Sequence, residues 1–309
     1  MKRFKKLLVA TDTRIAEHSV VEEAAELAAQ NQAALTIVDV VPESSWIASL
    51  VTTDLKSMRE AYGRETQDKL ESLATPIREK GLEVATRVLT GKTSVEITRE
   101  VIREMHDLVM AVAKGQGSKR KGFFGYTALD LLRNCPSAVW LVTKESAEKI
   151  SHVLGCVDVS SDQPVDEELN DKVYELTTSI GQFHESRHSI LHAWRMHDEA
   201  LLSSRLTEGH VAEFVRDHRK ATTKRFDKFL KKHASSVASE NAHLIKGRPP
   251  ETIETFVREN SVDLVVMGTV ARSGLAGKLI GNTAEQILDR IECSVLAIKP
   301  YDFKTSITL

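Results

Sequence analysis

Short apolar runs alternate along the chain with longer amphipathic stretches. Residues 7–10, 35–41, 84–89, 108–112 and 138–142 are rich in valine, leucine and isoleucine and lack clean two-residue alternation. That pattern predicts strands buried on both faces of a parallel sheet. Between them, residues 17–30, 55–79, about 93–105 and 126–134 carry apolar side chains at helical spacing. Strand–helix alternation predicts an α/β unit with right-handed crossovers. The second half repeats it, with strands expected at 153–157, 189–194, 242–245, 264–267 and 295–298.

The repeat is also visible residue by residue. Asp107-Leu108-Val109-Met110 returns as Asp263-Leu264-Val265-Val266-Met267, and Gly91 to Ile97 lines up with Gly247 to Ile253. Gly125-Tyr126-Thr127-Ala128 lines up with Gly281-Asn282-Thr283-Ala284 at the same offset. Asp12 matches Asp158 at a smaller one, so the second half carries about ten extra residues in between. One register shared by three separated motifs marks a duplication. The expected fold is two tandem doubly wound α/β domains, each a five-stranded parallel sheet flanked by helices. The domains are expected at 1–146 and 151–309, joined by a short polar linker.

Composition narrows the function classes. The 309 residues carry 42 lysines and arginines against 44 aspartates and glutamates, a net charge of −2. No bulk basic excess points to nucleic acid or to an anionic membrane, and neither is expected as a partner. No apolar run approaches the roughly 18 residues of a bilayer span. The basic-then-apolar start, Met1 to Ala10, reads as a first strand and not as a signal peptide. Cys135, Cys156 and Cys293 are too few and too scattered for a disulfide framework or a zinc site. They predict buried thiols in a reducing, cytoplasmic setting.

In an open α/β sheet, ligands sit beyond the carboxyl ends of the strands. After the fourth strand of the second half comes Gly268-Thr269-Val270-Ala271, then nine residues, then Gly281-Asn282-Thr283 at a helix start. Small residues let backbone amides approach an anion, and a helix start adds free N–H groups, so this loop suits a polyphosphate. The same glycines also read as turn and cap residues.

These residues resemble the universal stress protein family in its tandem two-domain form. Its nucleotide-binding members carry G-x-x-G, nine residues, then G followed by Ser, Thr or Asn. Gly268, Ala271, Gly281 and Asn282 reproduce that spacing, with alanine for the second glycine. The resemblance implies a fold of the adenine nucleotide alpha hydrolase type. It implies ATP as ligand, with magnesium in view, and a stress-response role in regulation or ligand sensing. Asp158 would contact the adenosine end or a bound metal, and Ala193 would hold adenine through its backbone. Met267, Gly268, Val270 and Ala271 would lie along ribose and phosphate, and Gly281, Asn282 and Thr283 would hold the phosphates. Single-domain relatives dimerise, often through their last strands. An intrachain pseudo-dimer through 138–142 and 295–298 is therefore expected, with room for a further homodimer.

The first half departs further. Ala111 stands where Gly268 does, the loop is one residue longer, and Tyr126 replaces Asn282. A degenerate, mainly structural copy is expected, with Lys114, Lys119, Arg120 and Lys121 as a solvated run that could attract an anion. Thr90-Gly91-Lys92-Thr93 ends like a phosphate loop but lacks its first glycine and reads as a turn. His184, His188 and His192 are spaced for a metal on a helix, yet His192 falls in an expected strand, so no metal site is expected. Val211, Phe214, Val215, Phe226, Phe229 and Leu230 follow helical spacing. They read as a crossover helix with Lys224, Lys228 and Lys231 in water; the sharper reading makes them the wall of an apolar ligand pocket. Two rival functions follow: a carrier of a small apolar ligand in the second domain, and a slow ATP hydrolase or nucleotidyl transferase. The enzyme reading needs a base and a held metal, and only Asp158 can be named for either.

Overall fold

A computed structural model describes residues 3–41, 55–115, 118–143, 149–161, 163–196, 203–233, 239–269 and 280–309. The first repeat runs β1 (Lys6–Ala10), α1 (Ser19–Asn31), β2 (Ala34–Val41), α2 (Leu55–Glu79), β3 (Val84–Thr90), α3 (Thr93–Glu104), β4 (Leu108–Val112), α4 (Tyr126–Asn134) and β5 (Ala138–Val142). The second runs β6 (His152–Cys156), α5 (Pro164–Phe183), β7 (Arg187–Trp194), α6 (Glu208–Lys232), β8 (Ala242–Lys246), α7 (Pro249–Glu259), β9 (Leu264–Gly268), α8 (Asn282–Leu288) and β10 (Ser294–Ile298).

The described residues fall into two compact units. One takes in the chain up to Lys149 together with Ile280 and Ser294–Leu309, the other Ile150 to Thr269 and Gly281–Cys293. In the first unit the strand order is β3-β2-β1-β4-β5-β10. Leu7 lies opposite both Leu35 and Leu108, and Met110 opposite Trp140. Leu7, Leu8 and Val9 are all fully buried, because helices cover both faces and successive side chains point to opposite sides. The sheet is parallel up to β5. β10 then adds antiparallel, with Val295 opposite Leu141 and Ala297 opposite Val139. So the last strand of the second repeat completes the sheet of the first unit.

In the second unit the order β9-β6-β7-β8 is parallel throughout, with Val153 facing Leu264 on one side and His188 on the other. Gly155 on β6 has no room for a side chain: a Cβ there would sit 2.4 Å from Thr177 Oγ1 and 2.8 Å from Ile190 Cδ1. The glycine lets α5 press onto the sheet. Proline opens α5 and α7, where a missing N–H costs nothing. In both units the connection reverses between the first and fourth strands of the repeat. A crevice is therefore expected at the carboxyl ends of β1 and β4, and again of β6 and β9.

Candidate functional site

Three adjacent strands deliver the second unit's site residues to one sheet end. β6 leads to Asp158, β7 carries Ala193, and β9 ends in Met267 and Gly268, with Cys156 in register with both Leu191 and Met267. Asp158 is exposed, and its Oδ1 accepts from the Ser160 backbone N–H (3.0 Å) and hydroxyl (2.6 Å). The Asn170 side chain on α5 braces the backbone there, accepting from the Asp158 N–H and donating to its carbonyl, each at 2.9 Å. The aspartate is thus held in a fixed turn at the mouth of the crevice.

The glycine loop closes on itself. Gly281 N–H donates to Thr269 O at 2.8 Å, bringing the start of α8 against the end of β9. Gly281 is extended (φ −62°, ψ 144°) and no side chain caps the helix, so the first-turn N–H groups have no side-chain acceptor. Asn282 and Thr283 are exposed, and Asn282 Oδ1 accepts from Gln286 Nε2 at 3.1 Å. Thr269 is fully buried, yet its hydroxyl has no hydrogen-bond partner among the described residues. An orphaned buried hydroxyl costs about 1–3 kcal/mol, so a bound polar atom at this point would relieve it. Together, exposed donors at a helix start, an unsatisfied hydroxyl and a fixed carboxylate fit the phosphate and metal end of a nucleotide. Gly268 has a second explanation. A Cβ there would lie 2.4 Å from Leu169 Cδ2, so packing of α5 alone demands a residue without a side chain. Val270 and Ala271 lie outside the described residues.

The first unit repeats the frame with different occupants. Gly125 N–H donates to Ala113 O at 2.8 Å, the counterpart of the Gly281–Thr269 closure. Here Arg14 grips Asp12 through Nε (2.7 Å) and Nη2 (2.6 Å), which holds that carboxyl below its ordinary range. Lys114 Nζ donates to Gly122 O and Arg120 Nη1 to Phe124 O, each at 3.0 Å. These two cations brace their own loop. Tyr126, 66% exposed, stands where Asn282 does. Neither the Arg14–Asp12 pair nor the buried Thr269 hydroxyl figured in the sequence reading, although Arg14 sits only two positions beyond Asp12.

The other sequence features resolve structurally. Lys92 pairs with Asp130 at 2.8 Å, and Gly91 turns with φ 141° against Glu96, so this segment is a turn into α3. His184 caps the end of α5 while His188 and His192 lie on β7, so the three share no helix face. No group of three metal-ligating side chains converges among the described residues. Cys135 and Cys293 are buried and Cys156 half-buried, all as free thiols, and burial pushes the Cys293 thiol up to about 12. The apolar spacing of α6 overstates its packing. Phe226 and Thr222 are buried, but Phe214 is 52% exposed and Val211 and Val215 only half-buried; the ring contacts that tie the helix to the sheet and α5 lie from His218 onward, with His218 against Trp194 at 5.5 Å and Phe229 against Tyr174 at 5.8 Å. No helix among the described residues is long and apolar enough to cross a membrane.

Comparison with known proteins agrees with this geometry. The universal stress protein E of Salmonella typhi is 28% identical over 246 residues, covering 75% of this chain and 73% of the relative. The protein of that name from Photorhabdus laumondii is 24% identical over 314 residues, covering 99% and 98%. Among solved structures, a protein of unknown function from Pseudomonas aeruginosa PAO1 superposes with a TM-score of 0.75 at 21% identity, over 97% of this chain and 94% of its own. A universal stress protein from Archaeoglobus fulgidus superposes with a TM-score of 0.61 at 15% identity, over 95% and 98%. The sequence model of the universal stress protein family matches twice, over residues 3–143 and 153–299, and the chain therefore belongs to that family in tandem form.

Proposed function

We propose that the second unit binds an adenine nucleotide, ATP with magnesium, as the sensing step of a stress-response regulator. The Gly281–Thr269 closure carries this reading, because it sets helix N–H groups and a buried hydroxyl side by side, neither met by a side chain among the described residues. In this reading Gly281, Asn282 and Thr283 take the phosphates, Gly268, Val270 and Ala271 lie along the ribose, and Ala193 meets adenine. Asp158 faces the adenosine end or the metal. Turnover is disfavoured: Asp158 is the single acid named at the crevice, and it already accepts two hydrogen bonds from Ser160. The β5–β10 rung further supports an intrachain stand-in for the dimer seam of single-domain relatives.

Calorimetry with ATP and magnesium tests the binding. One site per chain is expected, weakened at least tenfold by Asn282→Tyr, an exposed position that then matches the first unit. No heat at millimolar ATP overturns the reading. Two equivalent sites overturn the assignment of the first unit as degenerate. Steady turnover lost in Asp158→Ala would instead establish an enzyme.

A further inference from the structure

The outer face of α6 is unlike the rest of the surface. Arg216, Arg219, Lys220, Lys224, Lys228 and Lys231 line one open stripe of the helix together with Thr223 and Asp227. None of these six cations has an ion-pair or hydrogen-bond partner among the described residues. Several lysines elsewhere are engaged, as Lys69 with Glu65, Lys172 with Glu168 and Lys232 with Asp171. The net charge of −2 hides this local excess, since the sum averages over the whole chain. Asp227 lies within the stripe, and Glu213 and Asp217 stand at its N-terminal end, so the excess is densest from Arg219 onward.

We propose that this stripe docks the phosphate backbone of nucleic acid without reading sequence. From Arg216 to Lys231 the helix rises about 22 Å at 1.5 Å per residue. Over that length one strand of a duplex presents about six phosphates, matching six cations. The lining offers Thr223 as its only neutral polar side chain and no aromatic ring to stack on a base, which leaves phosphate as the target. A membrane surface fits less well. An interfacial helix inserts its apolar side, and in the second half of α6, where the stripe is densest, that side is committed to the protein: Phe226 is buried, and Phe229 packs edge-on against Tyr174 at 5.8 Å. Phe214 is exposed but falls off the line of the stripe by helical spacing.

Fluorescence anisotropy with a labelled 30-base-pair duplex tests the proposal, with vesicles of phosphatidylserine and phosphatidylcholine alongside. Binding is expected at 50 mM salt. Neutralising about five or six phosphates gives a slope of log affinity against log salt near −5, so affinity drops about 10³-fold by 200 mM. The triple variant Lys220→Glu, Lys224→Glu, Lys228→Glu, or its glutamine counterpart should the first fail to fold, weakens binding at least tenfold. Lys80→Glu, Lys149→Glu, Lys304→Glu makes the same charge change at other exposed positions and leaves binding within about twofold. No duplex binding at 50 mM, a slope flatter than about −2, equal weakening by both triple variants, or capture by vesicles without capture of the duplex each overturns the proposal.

Discussion

Glu23 gives the strongest quantitative test of the first unit's packing. It lies on the inner face of α1 with Val20, Val21, Ala24, Leu27 and Ala28, and is 9% exposed. Neither carboxyl oxygen has a hydrogen-bond partner among the described residues. Burial, with a smaller contribution from Glu26, pushes its pKa from 4.5 up to about 7. A carboxyl raised in the folded state favours folding below its unfolded pKa, and that advantage is lost as pH rises through about 7. Between pH 5 and pH 8 this linkage removes ~2.5 kcal/mol from the folded state. Glu23→Gln keeps the shape and abolishes the titration. Near pH 5 the variant and the natural protein should differ by less than ~1 kcal/mol, and by pH 8 the variant should be more stable by ~3 kcal/mol. Urea denaturation at both pH values measures the gap, and amide exchange across Ser19–Asn31 assigns it to α1. Other titrating groups cancel in the comparison. A gap that stays constant with pH, or a variant that is weaker at pH 8, refutes the reasoning.

Two further outcomes follow from β10 and its neighbours. Lys299 is 5% exposed, donates to Leu132 O near the end of α4 and stacks on Phe303 with Nζ 4.7 Å from the ring centre. Burial lowers its pKa to about 8, so the folded state gains ~3 kcal/mol relative to Lys299→Met as pH rises from about 8 to 10.5, read by denaturation across that range. Residues 1–146 expressed without β10 would expose the edge of β5, whose Val139, Trp140 and Leu141 are at most 1% exposed in the full chain. Sedimentation should show that fragment as a dimer or aggregate, and a well-behaved monomer would refute the role given to the β5–β10 rung.

How much of this was legible in the sequence depended on which physical signal was involved. The strands were readable because burial on both faces leaves uninterrupted runs such as Leu7-Leu8-Val9, whose ends moved by only one or two residues. The duplication was readable because the loop closures at Gly125 and Gly281 require the same backbone. The compact units were harder. A strand's apolar run says that it is buried but not which sheet buries it, so the expectation that Val295 to Ile298 pairs with β5 came from the family resemblance and not from the strand's own pattern. Phe214 misled for a related reason: helical spacing gives the face, and a face is buried only where another element reaches it. At the candidate site, spacing marked Gly268 and Gly281. It could not separate a glycine needed for a ligand from one needed for Leu169, and that took the position of α5.

The two crevices share one duplicated frame and differ in their polar groups, which is the basis for proposing a ligand on one side alone. Both closures survive, Gly125 to Ala113 and Gly281 to Thr269, at the same 2.8 Å. What differs is who satisfies the polar groups. In the first unit Arg14 occupies Asp12 on two oxygens, and Lys114 and Arg120 spend donors on carbonyls of their own loop. An entering phosphate would have to displace contacts already made, and Tyr126 would crowd the helix start. In the second unit Asp158 accepts from Ser160 in its own turn, the buried Thr269 hydroxyl has no hydrogen-bond partner among the described residues, and Asn282 and Thr283 stand exposed at the helix start. A binding crevice is recognised less by its backbone than by polar groups the protein leaves for something else to meet. That criterion is what supports the proposal of a ligand in the second unit and of a mainly structural role for the first.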